Sequence, residues 1–199
     1  MGSLVHTTRY SRGRLPHWEV ERGRYFVTVR CADSLPRDVV ERLREIHESI
    51  RSVESASPQF AQLQRTYFRT MEKYLDAGNG SSPLQNPRAA EALAEALQGL
   101  DREGAIAEHY TIMPNHWHAL LVPAGSNSIE LHRLMTNLKG RTARAINLAL
   151  GKSGSLWQRE WFDRWIRDEA EWNRCVDYIH RNPVKAGLVK EGDSHPWTK

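Results

Sequence analysis

Two strand-like runs on either side of Pro114-Asn115 constrain the fold more than any other feature of this sequence. The runs are Ala105–Met113 (AIAEHYTIM) and His116–Val122 (HWHALLV), and both are rich in β-branched and aromatic residues. Proline and asparagine favour tight turns. The pattern therefore predicts an antiparallel β-hairpin, against which the remaining elements have to pack.

Strand and helix patterns alternate along the rest of the chain. The predicted order is strand, helices, strand, strand, helix, strand and helix, over residues 24–31, 36–50, about 60–75, 87–100, 105–113, 116–122, 128–150, 156–167 and 168–183. We expect Asp168 to cap the final helix and Pro183 to end it. This order predicts an α+β fold in which helices back an antiparallel sheet.

Composition places the chain among ordinary globular proteins. Its 199 residues are 40% hydrophobic and 26% charged, which suits one domain spanning residues 1–199. The two cysteines, Cys31 and Cys175, are too few for a disulfide framework. Apolar runs are too short to cross a bilayer, and we expect a soluble intracellular protein that contacts no membrane.

Positive charge is concentrated in two segments. Residues 1–30 carry six Lys/Arg and two acids, and residues 133–167 carry eight Lys/Arg and two acids. The second excess is larger than the +4 net charge of the whole chain. Such a concentration indicates either a polyanion-binding surface, such as one for nucleic acid, or a solvated basic face.

The sharpest local motif is His116-Trp117-His118. On a strand, the period of two puts both imidazoles on one face and Trp117 on the other. Two imidazoles on a rigid strand form half of a divalent-metal site. Paired histidines on a surface or in a core also explain most matches to so short a pattern.

A second motif ends the final helix, in Tyr178-Ile179-His180-Arg181-Asn182-Pro183. Tyr178 and Asn182 are four residues apart and share a helical face. An amide oxygen suits Mg²⁺ or Mn²⁺, and a phenol beside such a metal is a possible nucleophile. The alternative is a packing tyrosine followed by a capping asparagine.

Together the two motifs resemble those of HUH single-strand transposases, specifically the REP-associated tyrosine transposases. The matching stretches are RGRLPHWEVERGRYFVTVR, the pair His116/His118, LKGRTARAINLALGKSGSLWQREWFDRWIRD and VDYIHRNPVKAGLV. They extend over nearly the whole chain. The resemblance implies a ferredoxin-like fold with a basic N-terminal arm (residues 1–20), a helical insertion at about 60–100 after the first strand-helix unit, and a C-terminal helix that carries the tyrosine.

The resemblance also implies a chemistry. His116, His118 and Asn182 would bind Mg²⁺ or Mn²⁺, and Tyr178 would attack single-stranded DNA beside a hairpin, a REP-like palindrome. The products would be a 5′-phosphotyrosine link and a free 3′-hydroxyl. A covalent intermediate of this kind needs no nucleotide cofactor. By the same resemblance we expect a monomer, with a dimer as the alternative, acting in the bacterial cytoplasm on nucleoid DNA.

The basic residues supply candidate DNA contacts. Four lie on the long helix, two in the N-terminal arm, and others beside the Trp-rich segment or the tyrosine, where Trp157 is the candidate for stacking on an unpaired base. The full set is Arg12, Arg14, Arg133, Lys139, Arg141, Arg144, Trp157, Arg159 and Arg181.

Two other functions fit part of the sequence. One is a domesticated hairpin-DNA-binding protein, which would have no need of both histidines, Tyr178 and Asn182 together. The other is a metal-dependent hydrolase with a water nucleophile, which would need carboxylate ligands near the histidines. The acids are concentrated within residues 31–132 instead of clustering around the motif.

Overall fold

The computed structural model describes residues 7–12, 16–54 and 57–199, with side chains from residue 19 onward. Within these residues the chain forms six strands and five α-helices. In chain order they are β1 (Thr7–Arg12), β2 (Pro16–Val20), β3 (Arg24–Arg30), α1 (Arg37–Ser52), α2 (Pro58–Asp76), α3 (Pro87–Gln98), β4 (Ala105–Met113), β5 (His116–Pro123), α4 (Leu131–Leu150), β6 (Phe162–Ile166) and α5 (Glu169–Lys185).

A four-stranded antiparallel sheet in the order β4-β5-β3-β6 forms the centre of the fold. The two middle strands are β5, which carries the histidine motif, and β3, which pairs Thr28 with His118. This strand order, with helices in the two crossovers, is the ferredoxin-like arrangement. The expected fold class and the β4–β5 hairpin are therefore confirmed.

Helices cover both faces of the sheet. On one face α3 and α4 pack against Val27, Trp117 and Leu121. On the other face α1, α2 and α5 pack against Phe26 and Leu120. The helices that pack on the α3/α4 face are thus those of the two crossovers, while α1 and α2 pack on the other face. The insertion expected at about 60–100 spans α2 and α3.

A close approach of two loops fixes the C-terminal end of α2. Gly80 has φ of +77°, and a Cβ there would lie 2.1 Å from the Asp33 carbonyl oxygen. Asp33 Oδ2 also accepts a hydrogen bond from Ser81 N at 3.0 Å. Only glycine allows this contact, which holds the loop after α2 against the turn that precedes α1.

The final helix confirms one expectation and corrects another. Asp168 Oδ1 accepts a hydrogen bond from Glu171 N at 2.7 Å, as expected for the N-cap. The expectation that Pro183 ends α5 is wrong, because the helix continues to Lys185. Pro183 has no N–H to donate to the preceding turn, but its carbonyl and that of Asn182 still accept from Leu188 N and Ala186 N, which continues the helix past it.

The N-terminal segment contains secondary structure that the sequence analysis did not predict. Strands β1 and β2 pair antiparallel in a separate two-stranded sheet, where an arm was expected. The part of the expected arm at residues 1–6 and 13–15 lies outside the described residues. Among the residues that the structure describes, none of the helices has the length and hydrophobicity needed to span a membrane.

Candidate metal and tyrosine site

The two histidines of β5 point to the same side of the sheet. His116 and His118 are fully buried, and their ring centroids lie 4.8 Å apart. Trp117 packs on the opposite face, in the core formed with α3 and α4. The geometry expected from the strand period is therefore present, and both imidazoles face α2 and α5.

Hydrogen bonds to the Nδ1 atoms orient both rings. Asn115 Oδ1 lies 2.7 Å from His116 Nδ1, and Thr28 Oγ1 lies 2.8 Å from His118 Nδ1. Asn115 is held in turn because its Nδ2 donates to the Asn79 carbonyl at 3.0 Å. With each Nδ1 engaged in this way, both Nε2 atoms are left for a ligand, the usual arrangement around metal-binding histidines.

A buried carboxylate on α2 completes this group. Ligand atoms of Glu72, His116 and His118 all lie within 4.8 Å of one another, and Glu72 is only 3% exposed. The sequence analysis missed Glu72, which lies in the acid-rich segment 31–132 and is brought to the histidines by the fold. The available signal was a carboxylate on the apolar stripe of α2, four residues after Phe68 and three before Leu75.

Helix α5 brings the tyrosine and the asparagine to the same group. The Tyr178 hydroxyl donates a hydrogen bond to Glu72 Oε2, and its ring centroid is 5.3 Å from that of His118. One turn later, Asn182 Nδ2 lies 3.5 Å from His118 Nε2. The four residues singled out from the two motifs therefore meet at one point.

Unpaired atoms at this point fit a bound cation. His116 Nε2, Glu72 Oε1 and Asn182 Oδ1 are buried and have no hydrogen-bond partner within the described part of the chain. Buried polar atoms are costly without partners, and three potential metal ligands in this condition are unusual in one place. Imidazole, carboxylate and amide donors together match a divalent metal such as Mn²⁺ or Mg²⁺.

Burial also sets the protonation of the group. It lowers the pKa of His116 and of His118 to about 3, so both imidazoles are neutral ligands at neutral pH. Burial raises the pKa of Glu72 to about 7, and the nearby His116 acts in the opposite direction. A divalent cation would favour the ionised carboxylate in this apolar setting.

The predicted DNA contacts of α4 lie on the other side of the sheet from Tyr178. Arg133 pairs with Glu130 at 3.3 Å, and Arg144 Nε donates to the Gly140 carbonyl at 3.4 Å. Arg141 pairs with Glu103, and its guanidinium also donates to the Ala96 carbonyl at 3.0 Å. Arg141 thus links α4 to α3 and the turn after it.

Two more of the predicted DNA contacts, Lys139 and Arg159, lie near β6 and also make contacts within the protein. Lys139 donates to the Arg159 carbonyl and lies 5.0 Å from the Trp161 ring centroid. Burial lowers the pKa of Lys139 to about 8. The side chain of Arg159 itself is exposed.

Trp157 does not fit the stacking role expected for it. It is 5% exposed and belongs to the core, where its Nε1 donates to Thr142 Oγ1 at 3.0 Å. Its position beside a Gly/Ser loop suggested exposure, but its ring points inward. Arg181 is exposed on α5, Arg12 lies in β1, and Arg14 lies outside the described residues.

Comparison with protein families identifies the segment that carries the site. Residues 84–182 match the model of the family described as Transposase IS200 like. This span includes His116, His118, Tyr178 and Asn182. It excludes α1 and α2, so Glu72 comes from outside the matched segment.

Two curated relatives carry matching names. The REP-associated tyrosine transposase of Escherichia coli strain K12 is 27% identical over 90 residues, 45% of this chain and 50% of the relative. A Haemophilus influenzae protein assigned provisionally to the same group is 27% identical over 108 residues, 46% of this chain and 60% of the relative. The matches thus span only half to three fifths of the relatives' length.

A solved structure shares the fold. The structure of a REP-associated tyrosine transposase bound to a REP hairpin superposes with a TM-score of 0.55, over 96% of this chain and 81% of that chain. At 18% identity this likeness concerns the fold alone. With the family match and the two relatives, it confirms the resemblance on which the sequence analysis relied.

Proposed function

From this relationship to the IS200-like and REP-associated tyrosine transposases, we propose that the chain is a DNA-processing enzyme. In our proposal it nicks single-stranded DNA next to a hairpin in a metal-dependent reaction and can rejoin the strands. The observation that carries the proposal is the hydrogen bond from Tyr178 to Glu72. It places a phenol oxygen directly against the carboxylate of a buried Glu/His/His group.

The residues that would hold the metal are Glu72, His116 and His118, with Asn182 adjoining them. Bound Mg²⁺ or Mn²⁺ would neutralise charge on the scissile phosphate and polarise it. Asn115 and Thr28 hold the imidazoles in orientation through hydrogen bonds made within the protein. A site prepared in this way loses little free energy to reorganisation when substrate arrives.

Tyr178 is the proposed nucleophile. Its oxygen attacks the phosphorus, a P–Oη bond forms, and the bond from phosphorus to the 3′-oxygen of the upstream nucleotide breaks. The phenol loses its proton and the leaving 3′-oxygen gains one, so the products are a 5′-phosphotyrosine and a 3′-hydroxyl. Attack by a 3′-hydroxyl on the phosphotyrosine reverses the step and joins strands without a nucleotide cofactor.

A hairpin of palindromic DNA is the proposed partner. The solved relative is described as bound to a REP hairpin, and this chain shares its fold. The exposed side chains of Arg133, Arg144, Arg159 and Arg181 are available to phosphates. Since Tyr178 contacts Glu72 of its own chain, we propose a monomer that acts in the cytoplasm on nucleoid DNA.

Glu72 also favours a second candidate. A hydrolase that activates water would use the same buried carboxylate and histidines, and Tyr178 would then only bind substrate or pack. A hairpin-binding protein without catalysis would need none of these groups. The role of Tyr178 differs among the three functions, so substituting it distinguishes them.

The test uses single-stranded hairpin DNA labelled at the 5′ or the 3′ end, incubated with Mn²⁺, Mg²⁺ or EDTA and resolved on a denaturing gel. We expect wild type to form a metal-dependent covalent adduct carrying the 3′ label, Tyr178→Phe to form none, and the matched control Tyr74→Phe to behave as wild type. Cleavage that survives in Tyr178→Phe would establish the hydrolase. Hairpin binding without cleavage or adduct would establish the binding protein.

A further inference from the structure

A cleft opens next to Tyr178, between α2, β6 and α5. Its volume is about 650 Å³, and its lining includes five arginines and several aromatic rings. Tyr178 and Phe68 both line it, and their ring centroids are 5.6 Å apart. Of the DNA-contact residues proposed from the sequence, none whose side chain the structure describes lines it. It is therefore a separate surface that reaches the proposed nucleophile.

The arginines of the cleft are arranged along two helices. Arg65 and Arg69 are one turn apart on α2, and Arg174 is one turn before Tyr178 on α5. All three side chains are exposed, and they have no ion-pair partner among the residues that the structure describes. Their charge is available to an anion beside the tyrosine.

The acidic residues of the cleft leave an excess of positive charge. Two line it, Asp163 and Glu171, against five arginines. Glu171 pairs with Arg164, on the β6 side of the cleft. The positive excess therefore lies at the α2 and α5 walls, where a chain of phosphates could approach Tyr178.

A partly exposed aromatic ring, Phe68, adds a stacking surface to these arginines. Phe68 lines the cleft and is only half-buried, whereas the Trp165 ring packs against the core on the α3/α4 face of the sheet. Nucleic-acid bases stack on such rings in a sequence-tolerant way. Arginines along a backbone path combined with partly exposed aromatic rings are typical of surfaces that bind single strands.

We propose that this cleft binds the unpaired nucleotides that flank the scissile phosphate. Arg65, Arg69 and Arg174 contact the DNA backbone, and Phe68 receives a base. The volume accommodates a drug-sized group and not a duplex, which favours a single strand. This inference rests on the proposed function, because the flank leads to Tyr178.

The arrangement also gives α2 two roles from one face. Arg65, Phe68, Arg69 and Glu72 recur at helical spacing, so a single stripe lines the cleft and reaches the metal group. The segment outside the family match thereby contributes to both substrate binding and metal binding.

Binding of fluorescent hairpins in EDTA, where no cleavage is expected, tests the proposal. One hairpin is blunt and the other carries single-stranded flanks. We expect Arg65→Ala/Arg69→Ala to bind the flanked hairpin about tenfold more weakly or worse, with the slope of log affinity against log salt reduced by about two. The blunt hairpin should bind unchanged. The matched control is Arg37→Ala/Arg42→Ala, two exposed arginines of α1, which should leave both affinities unchanged.

An abasic flank separates the two kinds of contact. It keeps the phosphates, so binding should remain sensitive to the Arg65→Ala/Arg69→Ala change, yet it should be weaker than the normal flank because no base can stack. Equal affinity for abasic and normal flanks would overturn the stacking part of the proposal. Competition by a free nucleoside triphosphate at equal concentration would overturn the single-strand assignment.

Failure of this inference differs from failure of the proposed function. A wild type that forms the tyrosine adduct but shows no arginine-dependent preference for flanked hairpins would overturn the cleft and leave the nicking function standing. A preference for flanks that depends on Arg65 and Arg69, without any adduct, would support the cleft and overturn nicking.

Discussion

The two faces of β5 differ in the polar atoms that they bury. On the α3/α4 face, Trp117 and its neighbours form a continuous apolar core. On the α2/α5 face, Glu72, His116 and Asn182 each keep a buried polar atom without a partner in the described residues. Trp117 Nε1 also lacks one, but an indole N–H is only a donor and cannot hold a cation.

The difference indicates that the two faces of β5 have different roles. The apolar face gains free energy from packing, while the polar face keeps potential ligands desolvated and unpaired, which costs free energy until a ligand binds. Substitutions on the two faces should therefore affect different measurements. The predictions below run from the largest expected effect to the smallest.

The largest effect should come from the apolar face. Trp117→Ala removes a large side chain that is 1% exposed and should lower the free energy of unfolding by about 3–5 kcal/mol. Urea denaturation in EDTA measures it without any contribution from metal. The control Leu148→Ala alters an 85% exposed side chain and should change stability by less than about 0.5 kcal/mol. A loss near the control value for Trp117→Ala would contradict the comparison.

On the polar face, His116→Ala should remove most of the metal affinity while the protein still folds. It removes one ligand atom of the buried group, so we expect Mn²⁺ affinity to fall by more than about 100-fold. Calorimetric titration checks this, with His109→Ala on the neighbouring strand as control. Unchanged affinity in His116→Ala would mean that this group is not the metal site.

A smaller loss should follow from Asn115→Ala, which removes no ligand. It frees His116 Nδ1, so the ring loses its orientation and Mn²⁺ affinity should fall by about 10–100-fold. The same titration applies, and the control is Asn137→Ala on the exposed side of α4. Equal losses for Asn115→Ala and His116→Ala would indicate a disrupted turn and not a reoriented ring.

The smallest effect should come from the outer surface of α4. Arg144→Ala should weaken hairpin binding only a few-fold and reduce the salt slope by about one, with no dependence on single-stranded flanks. Equilibrium binding over a salt series measures both quantities. A flank-dependent loss would place the single strand on the α4 side of the sheet and contradict the division between the faces.

Local patterns predicted those parts of the site that lie on one element. The period of two on β5 placed the histidines, helical spacing on α5 joined Tyr178 to Asn182, and Asp168 was recognised as a cap. These relations depend on backbone geometry within a few residues. They hold whatever packs against the element.

Relations between distant segments could not be predicted in this way. Glu72 reaches the histidines only because α2 crosses the sheet beside α5, and no spacing in the sequence encodes that crossing. Trp157 was assigned to a surface because its neighbours are Gly and Ser. Its ring instead lies in the core, where Nε1 donates a hydrogen bond to Thr142 of α4. The cleft arginines were missed for the same reason, since α2 and α5 are far apart in the chain.

The separation of the ligands along the chain has a consequence for turnover. A cation held by Glu72, the β5 histidines and Asn182 would tie together three segments that are otherwise joined by long stretches of polypeptide. Because it would bind the folded form and not the extended chain, its free concentration would add to stability. Proteases cut chains that open, so metal supply would also set how long each copy of the protein survives.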